Sequence, residues 1–280
     1  MGQLPEKTQQ VMEKPSMSES IIPSNRIKQA LGGGRPVVGT MIVEIRQPAL
    51  VQMLANAGFD FVIIDNEHGA FNIETIADLA RMAVHVEMTP LVRIPDLTYP
   101  YVAQTLDAGA QGIMVPRIYT PPQVREIVQM MKYPPVGKRG SALMRGYTQF
   151  KAGSVVEAMA AANRETMLVV QVETREAIEN IEEIVAVEGV DVALIGPNDL
   201  SIALEVPGQL EHPQVKEAIQ ATIAACQGHN VYPAIHMNDL KLASYWAGQG
   251  MRLISSSSEG GLLMKAAREV GATIRHSFEQ

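Results

Sequence analysis

The stretch Phe59-Asp60-Phe61-Val62-Ile63-Ile64-Asp65-Asn66-Glu67-His68-Gly69 contains a short apolar segment that ends abruptly in charge. The residues from Phe61 to Ile64 are aromatic or β-branched, which is typical of a buried strand. Two carboxylates and an imidazole follow at once, before Gly69. In barrels of alternating strands and helices, functional side chains lie at the C-terminal ends of the strands. The stretch therefore predicts a buried strand that carries polar groups to such an end.

The same succession of an apolar strand and an amphipathic helix recurs along the chain. We predict eight strands, which begin near Pro36, Phe61, Pro90, Gly112, Leu168, Val190, Val231 and Arg252. Such near-continuous apolar runs are typical of parallel strands covered on both faces. The dinucleotide-binding glycine fingerprint is missing from the sequence. The pattern favours a single-domain α/β protein, a (β/α)8 TIM barrel, with a doubly wound sheet as the alternative.

Three further segments complete the predicted organisation. Residues 1–24 are polar and lack periodicity, so we predict a flexible N-terminal extension, with the barrel spanning residues 25–280. The stretch from Lys132 to about Ser154 is predicted to be a long irregular connection, and such loops are usually functional. One continuous helix is predicted from Arg175 to Val185, and the last helix from Gly261 to Val270.

Composition excludes several classes of partner. The 280-residue chain carries a formal net charge of −7 and contains no basic run, which argues against binding to nucleic acid or to an anionic membrane. No apolar run is long enough to span a bilayer, and the N-terminus lacks an apolar signal core. A single cysteine, Cys226, suits a reducing compartment. We therefore expect a cytoplasmic protein that acts on small molecules.

Polar residues lie at the C-terminal ends of most predicted strands, where a closed barrel would bring them together. They are Glu44, Asp65, Glu67, His68, Arg93, Arg117, Glu173, Asn198, Asp199 and His236. Glu173 and Asp199 are about one βα unit apart and fall on neighbouring strands. Two converging carboxylates suit a hard divalent cation. The alternatives are a salt bridge for Glu173 and a helix N-cap for Asp199.

Three further charged or titratable residues, at strand ends or at the end of a helix, are candidates for substrate binding, proton transfer or support of the site. The guanidinium of Arg93 suits bidentate binding of a carboxylate, or an ion pair with Asp65 or Glu67. His68 suits proton transfer, although a lone histidine in a loop is often structural. Asp107 falls at a helix end, where its charge opposes the helix dipole, so it requires a partner; His68 and Arg93 are the candidates.

Several motifs in combination resemble the HpcH/HpaI aldolase family, metal-dependent pyruvate aldolases that act on 2-keto-3-deoxy or 4-hydroxy-2-oxo acids. The resemblance runs from about Asn25 to Val270. The motifs are Asp65-Asn66-Glu67-His68, Pro90-Leu91-Val92-Arg93, Leu106-Asp107-Ala108-Gly109-Ala110-Gln111, Val115-Pro116, Tyr133-Pro134-Pro135-Val136-Gly137-Lys138-Arg139-Gly140, Gln171-Val172-Glu173-Thr174-Arg175-Glu176-Ala177, Val187-Glu188-Gly189-Val190-Asp191 and Ile195-Gly196-Pro197-Asn198-Asp199-Leu200-Ser201.

The resemblance implies a role for each candidate residue. Glu173 and Asp199 would bind the divalent metal, Mg²⁺ or Mn²⁺ with Co²⁺ as a further option. Arg93 would hold the pyruvate oxygens and His68 would be the acid/base group, with Asp65 and Asp107 as supports. The turn Gly196-Pro197-Asn198 would offer backbone amides to the substrate carboxylate. The family is commonly a hexamer, a dimer of trimers that exchanges the last helix between neighbours.

The implied reaction is the cleavage or formation of a 4-hydroxy-2-oxo acid through a pyruvate enolate, with an aldehyde as the second partner. Its alternatives are a CoA-thioester lyase of the citrate lyase β-subunit or malyl-CoA lyase type, and an oxaloacetate decarboxylase. A lysine Schiff base is disfavoured, because the lysines considered for it fall in predicted loops or helices. Met41 stands where many members carry tryptophan, and His236 and Ser255–Ser258 replace apolar or small residues. The identity of the aldehyde stays open.

Overall fold

The chain folds into a closed barrel of eight parallel strands in sequence order, β1-β2-β3-β4-β5-β6-β7-β8. The computed structural model describes residues 20–278. The strands are β1 Val37–Ile42, β2 Phe61–Asp65, β3 Thr89–Arg93, β4 Gly112–Val115, β5 Met167–Val172, β6 Val192–Ile195, β7 Tyr232–His236 and β8 Leu253–Ser258. Pairing of β1 with both β2 and β8 closes the barrel. The predicted (β/α)8 fold is confirmed.

Helices follow the strands around the barrel. They are α1 Arg26–Gly32, α2 Ala49–Asn56, α3 Ile73–His85, α4 Tyr99–Ala108, α5 Pro121–Met131, α6 Val155–Glu165, α7 Arg175–Glu179, α8 Ile181–Val185, α9 Pro197–Ala203, α10 Pro213–His229, α11 Leu240–Gly248 and α12 Glu259–His276. The single helix predicted from Arg175 to Val185 is wrong, because Asn180 divides it. The last helix is longer at both ends than the predicted Gly261–Val270. None of the described helices could span a membrane.

Alternate residues of each strand point into the barrel, and one apolar cluster drawn from all eight strands fills its interior. Its strand members are Val37, Met41, Phe61, Ile63, Leu91, Met114, Met167, Val169, Val192, Leu194, Ala234 and Leu253. The next inward positions toward the C-terminal end carry mostly polar side chains or glycine. They are Asp65, Arg93, Glu173, Gly196, His236 and Ser255. The period of two therefore places these residues together at one mouth of the barrel.

Helix α1 closes the opposite mouth, since Ile27 and Leu31 join the interior cluster. Asn25 caps this helix by accepting a hydrogen bond from the amide of Lys28, and its own side chain donates to the carbonyl of Gln111. Ile22 is buried just before it. The last residues of the predicted extension thus pack on the barrel, whereas residues 1–19 lie outside the described part. The division of the chain at residue 24 stays a prediction.

Candidate active site

A bidentate ion pair between Arg93 and Asp65 joins the ends of β2 and β3. Arg93 Nε lies 2.8 Å from Asp65 Oδ1, and Nη2 lies 2.6 Å from Oδ2. The two residues are opposite each other in the strand register, and both are buried. Burial alone would raise the pKa of Asp65, but the hydrogen bonds and charge of Arg93 outweigh it and hold that pKa below its usual value. Asp65 is therefore a carboxylate at neutral pH.

Asp65 also fixes the loop that follows β2. Its Oδ1 accepts the backbone N–H of Glu67 at 3.0 Å and that of His68 at 3.4 Å. The loop places Glu67 Oε2 at 3.2 Å from Arg93 Nη1, and Glu67 Oε1 at 3.4 Å from Arg117 Nη2. One nearly buried glutamate thus connects two guanidinium groups at the mouth. The predicted alternative, that Arg93 pairs with Asp65 or Glu67, is realised with both.

His68 stands at the rim of this network. Its Nε2 lies 3.9 Å from Glu67 Oε2, and its side chain is 68% exposed. The imidazole is therefore in contact with solvent while a carboxylate lies beside it. Such a position suits a group that exchanges protons with a ligand and with water.

Glu173 follows β5 directly and is buried, with 5% of its surface exposed. Its Oε1 accepts the backbone N–H of Arg117 at 2.8 Å, and its Oε2 accepts a hydrogen bond from Gln171 Nε2. Arg117 has a left-handed backbone with φ 52, which directs this N–H. Burial, followed by the negative charges of Asp199 and Glu67, raises the pKa of Glu173. Glu173 is therefore a buried carboxyl whose ionisation two further carboxylates oppose.

Asp199 lies in the first turn of α9, where it is exposed and faces the charge of Glu173. The N-cap of this helix is Gly196, so the alternative that Asp199 is an N-cap is wrong. Gly196 directly follows β6 and lies against Glu173 at the end of β5. A Cβ at Gly196 would lie only 3.0 Å from Glu173 Oε2. The absence of a side chain at this position keeps the space between Glu173 and α9 open.

Fewer backbone amides of the Gly196-Pro197-Asn198 turn are available to a ligand than the sequence analysis predicts. The N–H of Gly196 donates to the carbonyl of Val172 at 3.2 Å, as part of the strand pairing. Pro197 has no N–H. Asn198 is the member of this turn whose amide remains, because the first N–H groups of a helix lack partners within it.

Asp107 pairs with Arg139 rather than with His68 or Arg93. Its Oδ1 lies 2.6 Å from Arg139 Nη2. The guanidinium of Arg139 is buried between the rings of Tyr133 and Tyr147, at 4.7 and 5.0 Å from their centroids. The partner of Asp107 therefore comes from the long irregular connection, and the expectation that His68 or Arg93 supplies it is wrong.

Two residues that the sequence analysis did not assign also shape this mouth. Gln171 lies two positions before Glu173 on β5. Because side chains alternate along a strand, the sequence could have placed it on the same inward face as Glu173. Glu259, the first residue of α12, is buried, and its Oε1 accepts three backbone N–H groups of the β1–α2 loop. They belong to Val43, Glu44 and Ile45, at 2.9, 2.6 and 2.8 Å. No local signal in the sequence predicts that contact.

The residues at the mouth fit a divalent cation. Within residues 20–278 no cluster of three or more histidine, cysteine, aspartate or glutamate side chains is arranged to hold a metal. Asp199 nevertheless lies close enough for its charge to act on the Glu173 carboxyl, and a cation held by both residues would relieve their repulsion. Gln171 Oε1 is buried and has no hydrogen-bond partner in the described part of the chain. Hard divalent cations often take few protein oxygens and complete their shell with water and substrate.

Comparison with known proteins assigns the chain to a family. A family model described as HpcH/HpaI aldolase/citrate lyase matches residues 40–266. The chain belongs to this family. A hydroxypyruvate/pyruvate aldolase of Deinococcus radiodurans is 38% identical to this chain over 255 residues, which cover 90% of each protein. A 4-hydroxy-2-oxo-heptane-1,7-dioate aldolase of Escherichia coli is 34% identical over 251 residues, covering 89% of this chain and 94% of that protein.

Solved structures of the HpcH/HpaI family have the same architecture. The crystal structure of an HpcH/HpaI aldolase from Desulfitobacterium hafniense superposes with a TM-score of 0.85 at 33% identity. The match covers 89% of this chain and 96% of that one. The resemblance drawn from the motifs is therefore confirmed.

Proposed function

We propose that this chain is a divalent-metal-dependent aldolase, a carbon–carbon lyase that cleaves or forms a 4-hydroxy-2-oxo acid through a pyruvate enolate. The observation that carries the proposal is the guanidinium of Arg93, fixed at the same barrel mouth as the paired carboxylates Glu173 and Asp199. The names of the two curated relatives, both aldolases of 2-oxo acids, support it. Pyruvate and an aldehyde are the proposed small-molecule partners.

In this proposal Glu173 and Asp199 hold the ion, Mg²⁺ or Mn²⁺, with Co²⁺ as a further option. When bound, the ion is a Lewis acid that stabilises negative charge on the 2-oxo acid. Arg93 binds and orients the same half of the substrate: Asp65 and Glu67 occupy part of its fork, and its other N–H groups remain for an anionic oxygen. The Asn198 amide and the open space at Gly196 accommodate the substrate carboxylate.

His68 is the proposed proton carrier. In the cleavage direction its imidazole accepts the proton of the 4-hydroxyl group, and in the condensation direction it returns that proton. Glu67, 3.9 Å away, stabilises the protonated ring. Asp65 is a positioning residue, because it binds the backbone of the loop that carries His68. Asp107 has no direct role in this proposal, because it lies at the end of α4, just before β4 begins, and pairs there with Arg139.

Among residues 20–278, Lys132 is the lysine whose pKa is clearly lowered, and its position does not favour a Schiff-base mechanism. Burial lowers the pKa of Lys132 to about 8. Its Nζ, however, donates to the carbonyls of Asn163 and Thr166, both at 2.8 Å. Thr166 directly precedes β5, so this amine lies at the N-terminal end of the barrel, away from Arg93 and Glu173.

Removal of divalent metal tests the proposed class of aldolase. We expect the purified protein to release pyruvate from a 4-hydroxy-2-oxo acid, to lose this activity on exhaustive chelation, and to regain it with Mg²⁺, Mn²⁺ or Co²⁺. Pyruvate release is measured with a coupled lactate dehydrogenase assay. Full activity after chelation would contradict the metal mechanism. Turnover of a CoA thioester or of oxaloacetate alone would favour the alternatives named above.

Arg93→Lys tests the proposed oxo-acid clamp. A lysine cannot reproduce two parallel hydrogen bonds to Asp65 while it also binds a substrate oxygen. We expect kcat/KM to fall about a hundredfold or more. Arg35→Lys is the matched control, because Arg35 forms an exposed ion pair with Asp60 just before β1, at the opposite end of the barrel. Near wild-type kcat/KM for a folded Arg93→Lys protein would remove Arg93 from the site.

We also propose a homohexamer, a dimer of trimers in which α12 packs on a neighbouring chain. Glu259 is the only buried residue of α12. Apolar side chains are exposed along the rest of the helix, namely Leu263, Met264, Val270 and Ile274. Light scattering should give about six times the 30.4 kDa chain mass, and Val270→Glu combined with Ile274→Glu should lower it. A monomer mass for the unmodified protein would contradict this assembly.

A further inference from the structure

His236 ends β7 on the face that points into the barrel. The inward residues before it on this strand, Tyr232 and Ala234, pack with the interior cluster. Ser255 of β8 is opposite His236 in the strand register. The Oγ of Ser255 lies 2.9 Å from Nδ1 of the imidazole, and the side chain of Asn238 is a further hydrogen-bond partner of the ring. His236 is therefore a held, inward-facing polar side chain at the same mouth as Arg93 and Glu173.

The inward positions beside His236 are small. Gly196 directly follows β6, between His236 and Glu173, and Ser255 is the residue opposite His236 on β8. Neither Gly196 nor Ser255 places a large side chain beside the imidazole, whereas the ring of Phe61 fills the space at Gly39 on β1. The charges of Arg93 and Asp65, from the other side of the barrel, act on the ring. His236 thus lies beside the space in which Arg93 would hold the oxo acid.

The imidazole of His236 is uncharged at neutral pH. Burial, followed by the positive charge of Arg93, lowers its pKa to about 4. An uncharged ring suits a neutral hydroxyl group as its ligand. It also differs from His68, whose exposed imidazole lies at the rim.

We propose that His236, positioned by Ser255, is a specificity-determining residue that selects 2-oxo acids carrying a hydroxyl group on carbon 3. The inference rests on the proposed aldolase function and specifies its carbon nucleophile. A hydroxyl group on carbon 3 can exchange hydrogen bonds with the polar edge formed by His236, Ser255 and Asn238, whereas a methyl group cannot. Hydroxypyruvate is the simplest acid of this class. The new bond still forms at carbon 3, and the hydroxyl group stays in the product.

The experiment compares hydroxypyruvate with pyruvate as the nucleophile, each with glycolaldehyde as the aldehyde and with saturating Mg²⁺. We expect the wild-type kcat/KM to favour hydroxypyruvate. His236→Leu should shift the ratio of the two kcat/KM values about tenfold or more toward pyruvate. His236→Gln should retain part of the preference, and Ser255→Ala should shift it by less. His229→Leu, which removes an imidazole on the surface near Glu182, is the matched control.

The outcomes separate the inference from the function on which it rests. An unchanged ratio in His236→Leu, or an equal fall for both acids, would overturn the specificity role. If His236→Leu does not fold, an unchanged ratio in both His236→Gln and Ser255→Ala would overturn it as well. A wild-type enzyme that joins both acids to the aldehyde without preference contradicts only this inference. Failure to form a carbon–carbon bond with either acid overturns the proposed function, and the inference with it.

Discussion

The paired hydrogen bonds between Arg93 and Asp65 are the interaction on which the barrel mouth depends. Burial of either charge alone would cost several kcal/mol, so each residue requires the other. Once Asp65 is fixed by the fork, its carboxylate also binds the loop that carries Glu67 and His68. Glu67 then returns to Arg93 and reaches Arg117. One buried ion pair thus organises both the cationic fork and the proton-handling residue.

The balance of charge across the mouth explains what it would bind. On the β2–β3 side, Asp65 and Glu67 accompany Arg93 and Arg117. On the β5–β6 side, Glu173 and Asp199 repel each other, and the raised pKa of Glu173 reports that repulsion together with burial. A divalent cation held by these two carboxylates would relieve that repulsion, and Arg93 would bind the anionic 2-oxo acid beside it. On the β7–β8 side, His236 adds a neutral polar side chain.

Much of this arrangement follows from the sequence, because strand periodicity is local. Eight apolar runs predict the barrel, and the inward face of each run predicts that Asp65, Arg93 and Glu173 meet. Contacts made through irregular segments are not local. Arg139, stacked on two tyrosines of the long connection, takes Asp107 away from the expected partners. Glu259 reaches the β1–α2 loop across most of the chain, and the strand ladder uses the Gly196 amide. Periodicity carries no information on such pairings.

Glu173 is the central residue of the proposed site, because it would hold the divalent cation at this mouth. Binding of Mn²⁺ to the metal-free protein, followed by calorimetry and electron paramagnetic resonance, tests this claim without any assay of turnover. We predict stoichiometric binding to the unmodified protein and none to a folded Glu173→Gln variant. Glu182→Gln, which changes an exposed carboxylate on α8, should bind normally. Equal Mn²⁺ binding by the Glu173→Gln variant would contradict the claim.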